Sequence, residues 1–362
     1  MHILVTADTV GGVWSYTREL VTGLDARGIH VTLVSFGGLP TPAQRAWLDG
    51  LQQVEYLPTE YRLEWMPDAA EDIQNSKKYL REVIARRKPQ LLHLSQFCYG
   101  SLNVSVPSIV VAHSDVMSWF RTVHGSEPRD AWASWYRKTV SEGLAGASAV
   151  VSPSCWMLDV LEACYGRQRA ARVIYNGRTP SLFNPDEPRQ NDSRQSYAVS
   201  VGRLWDEGKQ ASLLTQLSGV MPIVVAGSGG DNAWSANLQC RGQLSEAEMI
   251  DLLSKASVYV ATSKYEPFGL APLEAALSGC AIVANDIPSF REIWGEAALY
   301  FRANDANSLR ELLLLVGAND DLRREYAYRA YRRACHHYTA EEMVTAYVRF
   351  YSALLERQVT AA

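Results

Sequence analysis

Almost from end to end, short apolar runs that stop at turn residues alternate with longer stretches whose apolar residues recur at helical spacing. In the first half, strands are expected at 2–6, 29–35, 53–57, 90–95, 107–112, 148–152 and 171–175. Amphipathic stretches lie between several of them, at 13–26, 70–87, 130–145 and 154–164. This strand–helix rhythm predicts an α/β fold of parallel sheets covered by helices. Right-handed crossovers then place the functional loops at the carboxyl ends of the strands.

A length of 362 residues exceeds one ordinary core and suits two domains. Around 177–196 the texture changes. Gly177, Pro180, Asn184-Pro185, Pro188 and Gln190-Asn191-Asp192-Ser193 form a polar stretch without periodicity, read as an inter-domain linker. The pattern restarts with Tyr197-Ala-Val-Ser-Val201 and continues at 222–226, 238–241, 257–261, 280–284 and 297–301. A last helix at about 340–357 carries Met343, Tyr347, Phe350, Tyr351 and Leu354 on one face. That face needs a surface, on the second domain or back on the first.

Composition narrows the function classes. A net charge of −4 gives no reason to expect a nucleic-acid partner, and Arg86-Arg87-Lys88 reads as a solvated helix end. The six cysteines are scattered without metal-like spacing, which suits a reducing compartment. Met1 leads straight into the apolar Ile3-Leu4-Val5, and no apolar run reaches the roughly 18 residues of a membrane span. The expected location is cytoplasmic, with any membrane contact peripheral and at the inner face.

The segment richest in chemistry is Glu266-Pro-Phe-Gly-Leu-Ala-Pro-Leu-Glu274, directly after the strand Val258-Tyr-Val-Ala261. A strand enters a tight loop containing Gly269, and a helix opens with Pro272 in its first turn, where a missing N–H costs little. Amides of such a turn attract anions, so Leu270 and its neighbours suit a diphosphate oxygen. Glu274, read as lying in the first helical turn, can accept ribose hydroxyls, and Glu266 can reach a sugar hydroxyl beyond the phosphates. Either glutamate alone would be an unremarkable cap or surface group.

Other strand ends add to this. Val201-Gly-Arg-Leu204 closes the first strand of the second domain, with Lys209 six residues beyond Arg203. A rigid guanidinium fork and a flexible ammonium converging on one place suit a diphosphate leaving group. Gly227, within Ala226-Gly-Ser-Gly-Gly230, permits close approach of a ligand. In the first domain, Thr6-Ala-Asp-Thr-Val-Gly11-Gly12 forms a strand-to-helix turn open to a phosphate or an acceptor, and it is not the G-x-G-x-x-G dinucleotide fingerprint. His113 follows the strand Ser108-Ile-Val-Val-Ala112, with Asp115 two residues on.

Taken together, these residues resemble glycosyltransferase family four, the retaining GT-B enzymes. Glu266 to Glu274 matches the family's E-x7-E motif, and Val-Gly-Arg-Leu with Lys209 resembles its diphosphate clamp. Val173-Ile-Tyr-Asn-Gly177 looks like its hinge, and Gly242-Gln-Leu-Ser245 like the stretch before its base-contacting loop. Tyr338-Thr-Ala-Glu-Glu-Met343, with Tyr347 and Tyr351, resembles final helices that cross back to the N-terminal domain.

The resemblance implies two Rossmann-like domains facing each other across a cleft. Residues 1–176, completed by 340–362, would form the acceptor side, and 197–339 the donor side. It implies that Glu274 binds ribose, that Arg203, Lys209 and the Phe268–Leu270 amides neutralise the diphosphate, and that Glu266 and His113 contact the donor sugar. Gly12 would lie beside the diphosphate or the acceptor, and residues around Arg241–Leu244 would meet the base. Gly11, Trp14 and Asp115 fall on the acceptor side.

The implied reaction moves a hexose, with retention, from a nucleotide-sugar to a carbohydrate, lipid-linked or small-molecule acceptor. UDP-glucose is the first expectation and GDP-mannose the second. No cofactor and no metal are expected, in keeping with the lack of any D-x-D spacing. The alternatives are a nucleotide-sugar epimerase or phosphorylase of this architecture, or a non-catalytic nucleotide-sugar-binding module.

Overall fold

The computed structural model describes residues 1–168, 170–183, 195–229 and 238–361. By packing, the chain divides into two compact units, Met1–Gly177 with Ala340–Ala362, and Arg178–Thr339. The first opens with β1 (His2–Asp8), α1 (Gly12–Asp25), β2 (His30–Phe36), the single-turn α2 (Pro42–Arg45), β3 (Val54–Pro58), α3 (Ala70–Arg87), β4 (Leu91–Leu94) and β5 (Ser108–Val111). It continues with α4 (Val116–His124), α5 (Ala131–Gly146), β6 (Ala149–Ser152), α6 (Cys155–Tyr165) and β7 (Ala171–Val173). These strands form a parallel sheet in the order β3-β2-β1-β4-β5-β6-β7.

The second unit runs through β8 (Gln195–Val201), the short α7 (Ser212–Thr215), β9 (Ile223–Ala226), β10 (Leu238–Cys240), α8 (Glu246–Lys255) and β11 (Ala256–Ala261). After these come α9 (Leu270–Leu277), β12 (Ala281–Asn285), α10 (Pro288–Trp294), β13 (Leu299–Phe301), α11 (Ala306–Ala318) and α12 (Asp320–His337). Its sheet is also parallel, in the order β10-β9-β8-β11-β12-β13. β9 is apolar throughout, reading Ile-Val-Val-Ala, and all four of its residues are buried. Such runs need cover on both faces, which only flanking helices provide.

The chain then returns to the first unit as α13 (Ala340–Ala361). Met343, Val344, Tyr347, Tyr351 and Leu354 are buried in one core with Tyr16, Leu20 and Leu24 of α1. Each side chain of this size stabilises by about 1.5–3 kcal/mol on burial, enough together to hold a long terminal helix in place. A polar chain adds direction. Tyr16 Oη is 3.1 Å from His93 Nε2, and His93 Nδ1 is 2.7 Å from Tyr351 Oη. His93 is fully buried, and burial pushes its pKa down to about 3, so a neutral imidazole links α1, β4 and α13.

The stretch 177–196, read from the sequence as an inter-domain linker, begins with packed residues. Arg178 and Phe183 are buried within the second unit, so 178–183 packs as part of it, while 184–194 lies outside the described residues. Among the described residues no helix is long and apolar enough to cross a membrane.

Candidate active site

Strand order decides where each sheet opens. In the second unit the chain runs outward from β8 to β9 and β10, then starts again on the other side of β8 with β11. The loops leaving β8 and β11 therefore diverge at a topological switch point, the crevice where open parallel sheets bind ligands. Arg203 and Lys209 lie on the first loop; Glu266 and Gly269 lie on the second.

Asp206 shapes the first loop. It is buried, its Oδ1 accepts from the Gly208 amide at 2.8 Å, and its Oδ2 accepts from Arg203 Nη2 at 2.8 Å. An Asp bonding an amide two residues ahead is the usual way this side chain closes a turn. The Arg203 guanidinium also lies 5.5 Å from the ring of Trp205, whose side is open to solvent. Lys209 reaches the second loop, its Nζ donating to Glu266 Oε2 at 2.5 Å. The same oxygen accepts from Ser263 Oγ at 3.0 Å. Thr262 Oγ1 donates to the Lys209 carbonyl at 2.7 Å, and the Lys264 amide to that of Gly208 at 2.8 Å. Below them Asn285, fully buried at the end of β12, donates to the Ser263 carbonyl at 3.1 Å.

Gly269 caps α9 with φ +91°, and a Cβ there would stand 3.2 Å from Glu266 Cγ. A side chain at this position would meet both strain and the glutamate it is meant to flank. Among the described residues no side chain caps α9, and Pro272 brings no N–H, so Leu270 and Ala271 carry the first-turn donors. Phe268 is buried, edge-on to Tyr338 at 5.4 Å, and offers only its backbone. Glu274 is the fifth residue of α9 rather than part of its first turn, because the helix begins at Leu270. Its Oε1 lies 3.0 Å from Nε of Arg178.

Gly227 has an internal reason to be glycine: with φ +135°, a Cβ would fall 1.7 Å from the Gly202 carbonyl oxygen. Close approach of two backbones, one following β8 and one following β9, explains it without a ligand, while Gly230 lies outside the described residues. Arg241 and Leu244 follow β10, the Arg241 amide donating to the Val225 carbonyl at 2.9 Å and its side chain exposed.

The first unit has its own switch point between β1 and β4. Gly11 and Gly12 stand exposed after β1, Gly11 capping α1 with φ +75° and no side-chain cap. His113 follows β5 and is half-buried, with Nε2 3.3 Å from Ser95 Oγ and its ring edge-on to Tyr16 at 4.5 Å. Burial pushes its pKa down to about 3, so its imidazole is neutral near pH 7.

Two residues expected on the acceptor side have internal roles instead. Trp14 is buried against Trp47 and Tyr56, and its Nε1 donates to the Gln44 carbonyl at 2.9 Å. Asp115 is 1 % exposed and caps α4, accepting from the Ser118 amide at 2.7 Å, Tyr165 Oη at 2.7 Å and Tyr136 Oη at 3.2 Å. Asp115 precedes a helix and so carried a capping signal in the sequence. Trp14 sits on the apolar face of an amphipathic helix, the usual place for a core residue.

Sequence reasoning passed over Arg178, Asp206, Ser263 and Asn285. Asp206-Glu-Gly208 carried a turn signal; the others are recognisable only once strand order brings distant segments together.

Comparison with known proteins matches this arrangement. The model for Glycosyltransferase Family 4 matches residues 10–182, and that for Glycosyl transferases group 1 matches residues 187–333. An alpha-maltose-1-phosphate synthase of Mycolicibacterium smegmatis is 26% identical over 309 residues, 74% of this chain and 76% of that protein. The O-antigen chain mannosyltransferase RfbU of Salmonella typhimurium is 28% identical over 150 residues, 38% of this chain and 41% of its own. Among solved structures, sucrose-phosphate synthase from Thermosynechococcus elongatus superimposes with a TM-score of 0.79 at 18% identity, covering 99% of this chain and 100% of that one. HepE of Anabaena, solved with UDP and glucose, reaches a TM-score of 0.74 at 16% identity, covering 98% of this chain and 100% of its own. With both its halves matched and both its sheets parallel and helix-covered, the chain belongs to glycosyltransferase family 4 and has the GT-B fold.

Proposed function

We propose that this glycosyltransferase moves a hexose from a nucleotide-sugar to an acceptor with retention of anomeric configuration and without a metal. The observation that carries the reading is the grouping at the β8–β11 switch point. Lys209 is paired with Glu266, Arg203 lies on the Lys209 loop, and the uncapped start of α9 follows Glu266. Glu274 lies one turn further into that helix.

In this reading the diphosphate occupies the Leu270 and Ala271 amides, Arg203 and Lys209. Glu274 takes the ribose, and Glu266 takes a hydroxyl of the sugar. As the glycosidic bond breaks, negative charge grows on the leaving phosphate, and preorganised cations and amides stabilise that charge. The phosphate then takes the acceptor proton, so no strong protein base is required. The neutral imidazole of His113 suits a hydrogen bond to a sugar hydroxyl. The open Gly11–Gly12 turn admits phosphate or acceptor.

UDP-glucose is the donor of first choice and GDP-mannose the second; the UDP complex of HepE supports the former and the mannosyltransferase relative the latter. The acceptor is a carbohydrate, a lipid-linked intermediate or a small molecule. A thermal-shift panel of UDP-, GDP- and ADP-sugars tests the reading directly. A ligand at a hundred times its dissociation constant stabilises by about 2.7 kcal/mol. One base should stand out; a flat response to every nucleotide-sugar counts against the proposal.

A further inference from the structure

Arg178, a buried cation beside Glu274, plays no part in the reaction proposed above. It is 2 % exposed, and its guanidinium lies 5.0 Å from the Phe183 ring. Its backbone is held as well: the N–H donates to the Tyr338 carbonyl at 3.0 Å, and the residue bridges to Thr339. The fork faces two carboxylates, Nε at 3.0 Å from Glu274 Oε1 and Nη2 donating to Glu246 Oε1 at 3.2 Å. Glu246 opens α8, two residues after Leu244, and Glu274 belongs to α9. One planar group therefore ties the start of the helix behind the base-side stretch to the carboxylate given to the ribose.

We infer that Arg178 is a positioning residue for the nucleoside, fixing Glu274 in the orientation that accepts ribose hydroxyls. The inference rests on the assignment of Glu274 to ribose. A buried guanidinium is tolerated only with its charge compensated, and here two carboxylates share it. The set carries one net negative charge, so Glu274 remains an acceptor while one of its oxygens is held in place. A carboxylate already held in one orientation loses less freedom when a ligand binds. Lysine cannot substitute for this: a single point charge on a flexible stem does not reproduce a rigid group whose separate nitrogens face Glu246 and Glu274. The nucleoside contact is the same in the ground and transition states, so loosening it raises KM and leaves kcat in place.

Arg178→Lys is the direct test, with Glu274→Ala and the double variant alongside. Affinity is measured for whichever of free UDP, GDP or ADP stabilises the wild-type protein most, together with kcat and KM for the matching nucleotide-sugar. Arg178→Lys should raise the nucleotide Kd and the donor KM about tenfold, as loss of a charge-assisted contact does, with kcat nearly unchanged. The double variant should bind no more weakly than Glu274→Ala alone, because Arg178 acts through Glu274. Losses that add, or an unchanged Kd with a lowered melting temperature, would overturn the inference. An unchanged Kd in Glu274→Ala itself would instead remove the ribose assignment. Should Arg178→Lys fail to fold, Glu246→Gln releases only the half-exposed end of the fork. A smaller rise in Kd at constant kcat is then expected, and no rise overturns the inference.

Discussion

Lys209 Nζ and Glu266 Oε2 stand 2.5 Å apart, joining the loop that leaves β8 to the loop that leaves β11. Neither side chain is free in solvent: 25% of Lys209 and 11% of Glu266 is exposed. The pair therefore fixes where the ammonium sits as well as balancing its charge, and a diphosphate bound beside it would meet a cation already in place.

Removing Lys209 or Arg203 should slow turnover heavily. A charge-assisted contact in a partly dry site contributes about 1.5–3 kcal/mol, which is roughly ten- to a hundredfold in rate. Steady-state kinetics of Lys209→Ala and Arg203→Ala check this, and near-normal turnover in both would remove the clamp from the mechanism. A cycle with Glu266→Gln should be strongly non-additive for Lys209, since the two are in contact.

His113→Ala should lower the rate of transfer while leaving the affinity for free nucleotide nearly intact. The imidazole belongs to the first unit and is neutral, so it has no charge to offer a phosphate. Calorimetric titration with the nucleotide alone, set beside the transfer rate, separates the two effects. An equal loss of nucleotide affinity would contradict its place on the sugar side.

Acid should act against the first unit through the buried His93 and the half-buried His113. His93 and His113 both have pKa values pushed from 6.5 to about 3, so between those values the unfolded chain takes up protons that the folded one does not. The two histidines' share of stability is complete above about pH 6.5 and declines as pH falls toward 3, by at most about 1.4 kcal/mol per pH unit for each; Glu64 and Asp115, whose carboxyl pKa values burial raises, act in the opposite direction. Melting temperatures measured at steps from pH 7.5 to 4.5 should show this. His93→Gln should flatten the slope, and a slope as steep as wild type would show that His93 is not its source.

Gly227→Ala should destabilise by about 2 kcal/mol or more, from left-handed strain and overlap with the Gly202 carbonyl. A thermal melt of the variant checks it. Unchanged stability would mean that the two backbones can separate at no cost.

The sequence by itself determined the parallel α/β class, the places of the strands and of several helices, and the strand-end loops that hold the candidate site residues. Those features depend on residues a few positions apart: an apolar run such as 223–226, a glycine after a strand, a glutamate eight residues from another. It also called for a surface under the last helix without saying which. Tertiary structure decided that α13 returns to α1, through a contact between His93 and Tyr351 that spans 258 residues of chain. It paired Lys209 with Glu266 across 57 residues, placed Glu274 in the second turn of its helix, and turned Trp14 and Asp115 inward. Arg178 shows the reason most plainly. Read in order it opens a polar linker; only the juxtaposition of α8 and α9 surrounds it with two carboxylates and makes its burial tolerable.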